Sequence, residues 1–474
     1  MTPQHKKSPR SKVNLWQMFM LLLVFAPIYA TAQNRTMTKA QSRAKMEALK
    51  KIEQNYGISY YLDKYDLAIV LKDELYGVVT LDGRTVVPLE YGYASYEHQA
   101  DLFILFKEGS GVGCIDRNGK VVIPFEYSSE YLGVEVNYFN NGLMAVERKG
   151  KYGIIDKTGR VVVPYIYDNR IDICNAGKEL MYVISENYDT TWLLRFNGDT
   201  VMGPVNEMYT AAKGLLYVKK DTLCGIYNID GKEIIPIQYD GAVMLDDGRV
   251  MVHKNGVGYG VLDSDGHTLV PCSENRWKGE HSFIIKSGLV VNYRNDKCGI
   301  LDFNGNVIIP HSDRFFYGDT KERIALVDEN YRMEIYDIKG NLLEHFETTY
   351  SFDESVYSGL PVSRNGKWGF VDKNLNLVIQ PRYKELYQID DEHCSVLLDD
   401  GQRAIVDFNG KILVKGPYDS FENLCDGIYR ADGFVLNGKD AKKKYISGLI
   451  DLYGQTTFSN EELTAMQKNL SQKK

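Results

Sequence analysis

The chain has 474 residues, 44% of them apolar and 25% charged, with a formal net charge of −7. That is ample material for an extended core, and the acidic balance lacks the basic stripe a nucleic-acid partner would need, so none is expected. Seven cysteines, an odd number, cannot all pair within one molecule.

In chain order, Lys6, Lys7, Arg10 and Lys12 form a positive stretch ahead of a mostly apolar run over 15–28. Ala30-Thr31-Ala32 then fits a small-residue cleavage rule, so residues 1–32 read as a signal peptide with Gln33 as the first mature residue. The expected location is exported: periplasmic, cell-surface or secreted. Membrane contact would come only through an uncleaved leader, since residues 13–32 are just long enough to span. Residues 33–58 read as a helical segment. Met46, Leu49, Ile52 and Tyr56 recur at spacings of three and four before Gly57, a stripe suited to capping the edge of whatever follows.

From 59 to 458 one sentence repeats: Gly, any residue, apolar, Asp, two turn residues, Gly, an apolar run, Pro. It stands as GCIDRNGKVVIP at 113–124, GIIDKTGRVVVP at 153–164, GVLDSDGHTLVP at 260–271 and GILDFNGNVIIP at 299–310. The turn position falls at 83, 119, 159, 198, 231, 266, 305, 340, 375, 410 and 454, eleven copies, with Leu375 the one residue that is not Gly. A turn Gly supplies a positive φ at the end of a hairpin loop, so the copy at Leu375 is expected to turn differently. Pro after the apolar run suits a strand end. A third strand, such as GLMAVE at 142–147 or GLLYVK at 214–219, precedes each hairpin. The fold class expected is therefore all-β: about eleven three-stranded antiparallel meanders in tandem. An open, twisted or superhelical array is the first expectation, with a propeller-like ring or rings as the alternative, because eleven exceeds the blades of one ordinary propeller. Residues 459–474 read as a short C-terminal helix or tail, entered through a capping box at Ser459–Glu462.

The position before the first Gly varies: Tyr76, Val112, Tyr152, Thr191, Cys224, Tyr259, Cys298, Met333, Trp368, Arg403 and Ser447. Once, in GKWGFVDKNLNLVIQPRY, it spells Trp-Gly. Here the chain resembles the bacterial WG-repeat family, over about residues 60–458, with Tyr or Cys often standing where that family has Trp. The resemblance implies a non-catalytic β array.

Motifs that carry chemistry reduce to turns or loops. Asp263-Ser264-Asp265-Gly266 begins like a calcium loop, but its Gly comes too early and the following residues are a strand in every sister copy. The run Asp390-Asp391-Glu392-His393-Cys394 has metal-capable side chains, yet neighbours on a strand face opposite ways. The Asp recurring at 116, 156, 263, 302, 337, 372, 407 and 451 is a fold element, because a catalytic pair needs two unlike environments. No catalytic, cofactor-binding or metal residue is therefore assigned, and no cofactor is expected. The cysteines are expected to be mostly buried thiols, with one disulfide at most.

Thirty-four tyrosines exceed what a core needs. Tyr131, Tyr138, Tyr188, Tyr350 and Tyr357 lie in irregular stretches and are the candidate binding residues. The function expected is an exported, non-enzymatic binding or scaffold module at the cell envelope, with another protein as partner. A carbohydrate-binding protein using exposed aromatics is one alternative. The other is a hydrolase with a site in the irregular stretches 172–190 or 313–322.

Overall fold

Each repeat folds because its apolar residues cover both faces of a small sheet, and each sheet then needs a neighbour on either side. The computed structural model describes residues 37–128, 138–176, 179–211, 214–245, 248–273, 281–347, 359–425, 427–437 and 442–472. The proposed leader, residues 1–32, lies outside them. Unit 1 shows the pattern: strands Gly57–Leu62, Leu67–Lys72, Leu75–Thr80 and Thr85–Tyr91 form one antiparallel sheet in sequential order. Ten further units follow, at 93–127, 143–167, 170–205, 207–239, 241–273, 281–312, 314–347, 359–383, 385–416 and 420–451. None of the sheets closes into a barrel.

The all-β tandem array is as expected, with one addition. Most units have four strands, because the segment after the Pro-x-x-Tyr stretch is a short strand, as at Tyr93–Glu97, Arg170–Ile173 and Glu385–Gln388. Units 3, 9 and 11 show three strands. Units 8 and 9 share one seven-stranded sheet, joined where Glu347 pairs with Ser363.

Pro does not end its strand. In unit 2 the fourth strand, Val121–Tyr127, runs through Pro124; Val112 pairs with Tyr127 and Cys114 with Ile123, so three residues bulge opposite Gly113. A bulge tolerates the missing donor and aims the bulged backbone at its partner strand. A Cβ on Gly113 would lie 2.8 Å from the Phe125 ring and 2.9 Å from the Ile123 carbonyl oxygen. The Gly of the Trp-Gly pair is thus a close-approach glycine beneath the bulge.

The Asp turn is the same in all eight copies. One side-chain oxygen accepts the amides two and four residues on, as Asp116 does from Asn118 and Lys120, both at 2.9 Å. Asp156, Asp263, Asp302, Asp337, Asp372, Asp407 and Asp451 repeat that pair of bonds. Leu375 does not turn differently, as the sequence suggested. It takes the shared turn at φ +60°, and its amide bonds the Asp372 carbonyl at 2.9 Å. Its side chain is buried among Val327, Met333, Phe346 and Val371 at the fused units 8 and 9, which compensates the strain.

Eleven apolar clusters hold the described residues together, and each bridges two neighbouring units. An open row of eleven has only ten such boundaries. The eleventh cluster joins unit 11 (Cys425, Ile428, Leu449) to unit 1 (Ala68, Val70, Val79) through Met46, Leu49 and Ile52 of the N-terminal helix, Lys39–Glu53. Of the two arrangements that the sequence left open, the contacts select the ring. Polar bonds reinforce the seam: Ser42 to Asp451 at 2.7 Å, Lys50 to the Thr457 carbonyl at 2.9 Å, and Arg430 to Glu53 at 2.5 Å. The helix expected to cap an open edge instead seals two edges against each other. The C-terminal helix, Asn460–Gln472, sits on unit 11, with Met466 buried against Tyr418, Phe421 and Tyr429.

Candidate interaction face

Antiparallel order gives every unit two ends. The Asp turns and the turns between first and second strands lie at one end. The turns between second and third strands, with the links from unit to unit, lie at the other. The sequence-predicted tyrosines divide between them. Tyr188 sits in a second-to-third-strand turn, Tyr138 at the Asp-turn end, with 59% and 55% of their surfaces exposed. Tyr131, Tyr350 and Tyr357 lie outside the described residues.

The second-to-third-strand turns use left-handed backbone repeatedly, mostly at Asp, Asn or Gly: Asp73, Asp221, Asn295, Asn365 and Gly401 all have positive φ there. These residue types tolerate it. Two units place tyrosine in that conformation instead, Tyr188 at φ 57° and Tyr331 at φ 60°, with 59% and 44% of their surfaces exposed. Leu75, the first residue of the third strand in unit 1, and Val257, in the corresponding turn of unit 6, add exposed apolar side chains at this end. Sequence reasoning missed Tyr331; its signal was a bulky residue at a hairpin position where sister units have Asn, Asp or Gly.

Two clefts open on this face. One, about 390 Å³, lies at the seam between Glu53, Tyr56, Arg430 and Ser447. The other, about 380 Å³, lies between units 10 and 11 beneath the C-terminal helix. Its wall includes Arg403, the one charged residue at a repeat position that elsewhere holds Trp, Tyr, Met, Cys, Val, Thr or Ser. Arg403 is 8% exposed; its Nη2 donates to Glu385 at 2.7 Å, and its guanidinium lies 5.1 Å from the centre of the Tyr387 ring.

The Asp390–Cys394 run divides as strand geometry requires. Cys394 points into the core, while His393 and Asp390 meet at 2.9 Å and Tyr429 of unit 11 donates to Asp390 at 2.7 Å. Burial opposes ionisation of Asp390, but the bonds from His393 and Tyr429 win and hold its carboxyl below the usual range. The cluster links two units. Asp263, Asp265 and His267 bring their donor atoms within 4.8 Å at an exposed turn, where Asp263 already accepts the two turn amides. All seven cysteines are free thiols, so the possible disulfide is not formed. Of the stretches read as irregular, 313–322 is mostly the strand Arg314–Asp319, and 172–190 holds the end of Arg170–Ile173 and the strand Leu180–Ile184.

At the Asp-turn end of units 1 and 2, Arg117 pairs with Asp101 at 2.7 Å and lies 4.0 Å from the centre of the Tyr65 ring. Tyr96 packs edge-on against both Tyr65 and His98, and Tyr60 reaches His98 at 3.4 Å.

The WG containing repeat family matches residues 113–152, 152–169, 225–257 and 368–400, so the chain carries WG containing repeats in units 2–3, 5–6 and 9–10. No curated protein matches the sequence. Among solved structures, a eukaryotic initiation factor is similar at 11% identity and TM-score 0.36, over 74% of this chain and 94% of that one. Hsv2p of Kluyveromyces lactis is similar at 10% and 0.26, over 62% of this chain and 98% of that one. BamB of Moraxella catarrhalis is similar at 11% and 0.24, over 73% and 94%.

Proposed function

We propose that this WG-repeat protein is an exported, non-catalytic scaffold that binds another protein through the face carrying the second-to-third-strand turns. One observation carries the reading: Tyr188 and Tyr331 hold exposed rings on left-handed backbone, on the same face, four units apart. Each pays about 1 kcal/mol for that conformation; Tyr188 recovers part of it through its interaction with Arg170 of the same unit, yet both rings stay largely open to solvent. Tyrosine also suits protein recognition, offering large rigid contact area and a polar tip. Export rests on the leader at residues 1–32; among the described residues no helix is long and apolar enough to cross a membrane.

The test compares the mature chain with a Tyr188→Gly, Tyr331→Gly double variant as crosslinking baits in a native envelope fraction. Gly relieves the backbone strain, so the variant should be equally or more stable while losing a captured protein that the parent retains. Equal capture by both baits would refute the reading. The Tyr60, Tyr65, Tyr96 and Arg117 cluster at the opposite end favours a second reading, glycan stacking. A glycan array with Tyr60→Ala separates the two.

A further inference from the structure

Unit 11 departs from its sisters in the hairpin between its second and third strands. In every other unit the third strand starts four or five residues before the Asp-turn position, as Lys151 does before Asp156. In unit 11 it starts at Lys442, nine residues before Asp451. The register shows where the extra length lies. Unit 3 pairs Leu143 with Asp156 at one end of the ladder and Arg148 with Lys151 at the other. Unit 11 covers the same span from Ile428 with Asp451 to Gly433 with Ile446, then adds four pairs: Phe434 with Tyr445, Val435 with Lys444, Leu436 with Lys443 and Asn437 with Lys442. Four residues of strand are about 13 Å long.

The added length has a composition of its own. The outgoing strand carries Phe434, Val435 and Leu436, and the returning strand carries Lys442, Lys443 and Lys444 ahead of Tyr445, with no acidic residue on either. Residues 438–441, outside the described residues, add one lysine and one aspartate and so no net charge. Lys444 is exposed, and Tyr445, at 71%, is the most exposed large hydrophobic residue among those described. The base is braced by the C-terminal helix, where Asn469 donates to the Phe434 carbonyl at 2.8 Å. Lys442–Asp451 is an edge strand of its sheet, and lysines on an edge discourage pairing with other chains. That role needs charge of either sign, and it needs neither four extra pairs nor an apolar strand opposite the lysines. Cations interleaved with aliphatic residues, beside an exposed tyrosine, fit the boundary layer of an anionic bilayer. An acidic protein surface would answer the lysines alone.

We propose that the unit 11 hairpin docks the protein on an anionic lipid surface, with Lys442, Lys443 and Lys444 at the phosphates and Tyr445 at headgroup level. This contact is additional to any made by the leader. It is independent of the protein-binding reading, whose Tyr188 and Tyr331 stand in units 4 and 8. The test sediments the mature chain with phosphatidylcholine vesicles, with and without about 30% phosphatidylglycerol. Anionic vesicles should bind at least about tenfold better than neutral ones, and less as salt rises from about 0.1 M to about 0.5 M. Lys442→Glu, Lys443→Glu and Lys444→Glu together keep the edge charged but should lose about a hundredfold in binding, since each lysine near such a surface contributes about fivefold. The same three changed to Gln should fall between parent and Glu variant. A control reversing three lysines in ordinary turns of the same end, Lys149→Glu, Lys220→Glu and Lys254→Glu, should stay within about threefold of the parent. Binding to neither vesicle, equal binding to both, or binding that survives the hairpin substitutions overturns the proposal. So does an equal loss in the control, which would make the charge of the whole face the cause. Circular dichroism checks each fold, and if the Glu variant does not fold, the Gln variant decides.

Discussion

Gly83 and Gly119 occupy the same turn in adjacent units, at φ 86° and 84°, and differ in what stands beside them. A Cβ on Gly83 would meet nothing within 4 Å, whereas one on Gly119 would lie 2.5 Å from the Val86 carbonyl oxygen of unit 1. Alanine at 83 therefore costs only left-handed backbone, about 1 kcal/mol. Alanine at 119 adds overpacking against a backbone atom that cannot rotate away, about 1–3 kcal/mol more. The expected totals are about 1 and about 2–4 kcal/mol. Urea unfolding followed by tyrosine fluorescence and circular dichroism gives the two midpoints. Coincident probes would license reading them as free energies. Equal losses would refute the claim that the turn Gly is also a contact between units, leaving only its conformational role.

Leu375→Gly should release left-handed strain yet lose a buried side chain, for a net destabilisation of about 1–4 kcal/mol; a gain in urea midpoint would refute the packing account. Acid should weaken the fold through its turns. At Asp156 burial opposes ionisation, but bonds from Thr158 and Arg160 outweigh it and hold the carboxyl down to about 2. Its folded value lies below the unfolded value of about 3.9, so its stabilisation is complete above the unfolded value and is lost as pH falls toward 2. Asp156→Asn should therefore flatten the decline in urea midpoint between pH 6 and pH 3, since Asn228 makes the same two turn bonds in unit 5 at 3.1 and 2.8 Å; parallel declines would refute it. Removing residues 37–54 should expose the seam cluster of Val70, Val79, Ile428 and Leu449 and produce soluble aggregates by light scattering, whereas a monodisperse monomer would mean the ring closes without the helix.

The repeat was legible because each copy states its turn chemistry locally: Asp, two turn residues, Gly. The first strand of each unit was not. A segment such as Arg170–Ile173 buries essentially one residue, Ile171, so four residues carry too little alternation to register as a strand. Ring closure was not legible either. It depends on the summed rotation of eleven sheets, and its contacts, such as Ser42 with Asp451, join residues 409 apart. Pro124 misled for a different reason: a missing donor ends a regular ladder, but within a bulge it merely leaves unpaired a residue that the bulge already exposes. Arg403 was visible in the sequence as the one arginine in its column, though only burial showed that two of its nitrogens lack acceptors.

Closure changes what the turns can do. In an open row, strain at one turn can be relieved by rotating a unit against its neighbour, because the ends move freely. In a ring every rotation must be compensated by the other units, and the interfaces that would yield are close-packed apolar clusters that resist deformation. The left-handed turns at Tyr188 and Tyr331 are thus held on a frame that cannot accommodate them cheaply by twisting. The same stiffness fixes the spacing between turns four units apart, so a partner touching both would meet a preset separation and lose less freedom on binding. Opening the seam should accordingly weaken a partner that spans several units more than one that touches a single unit.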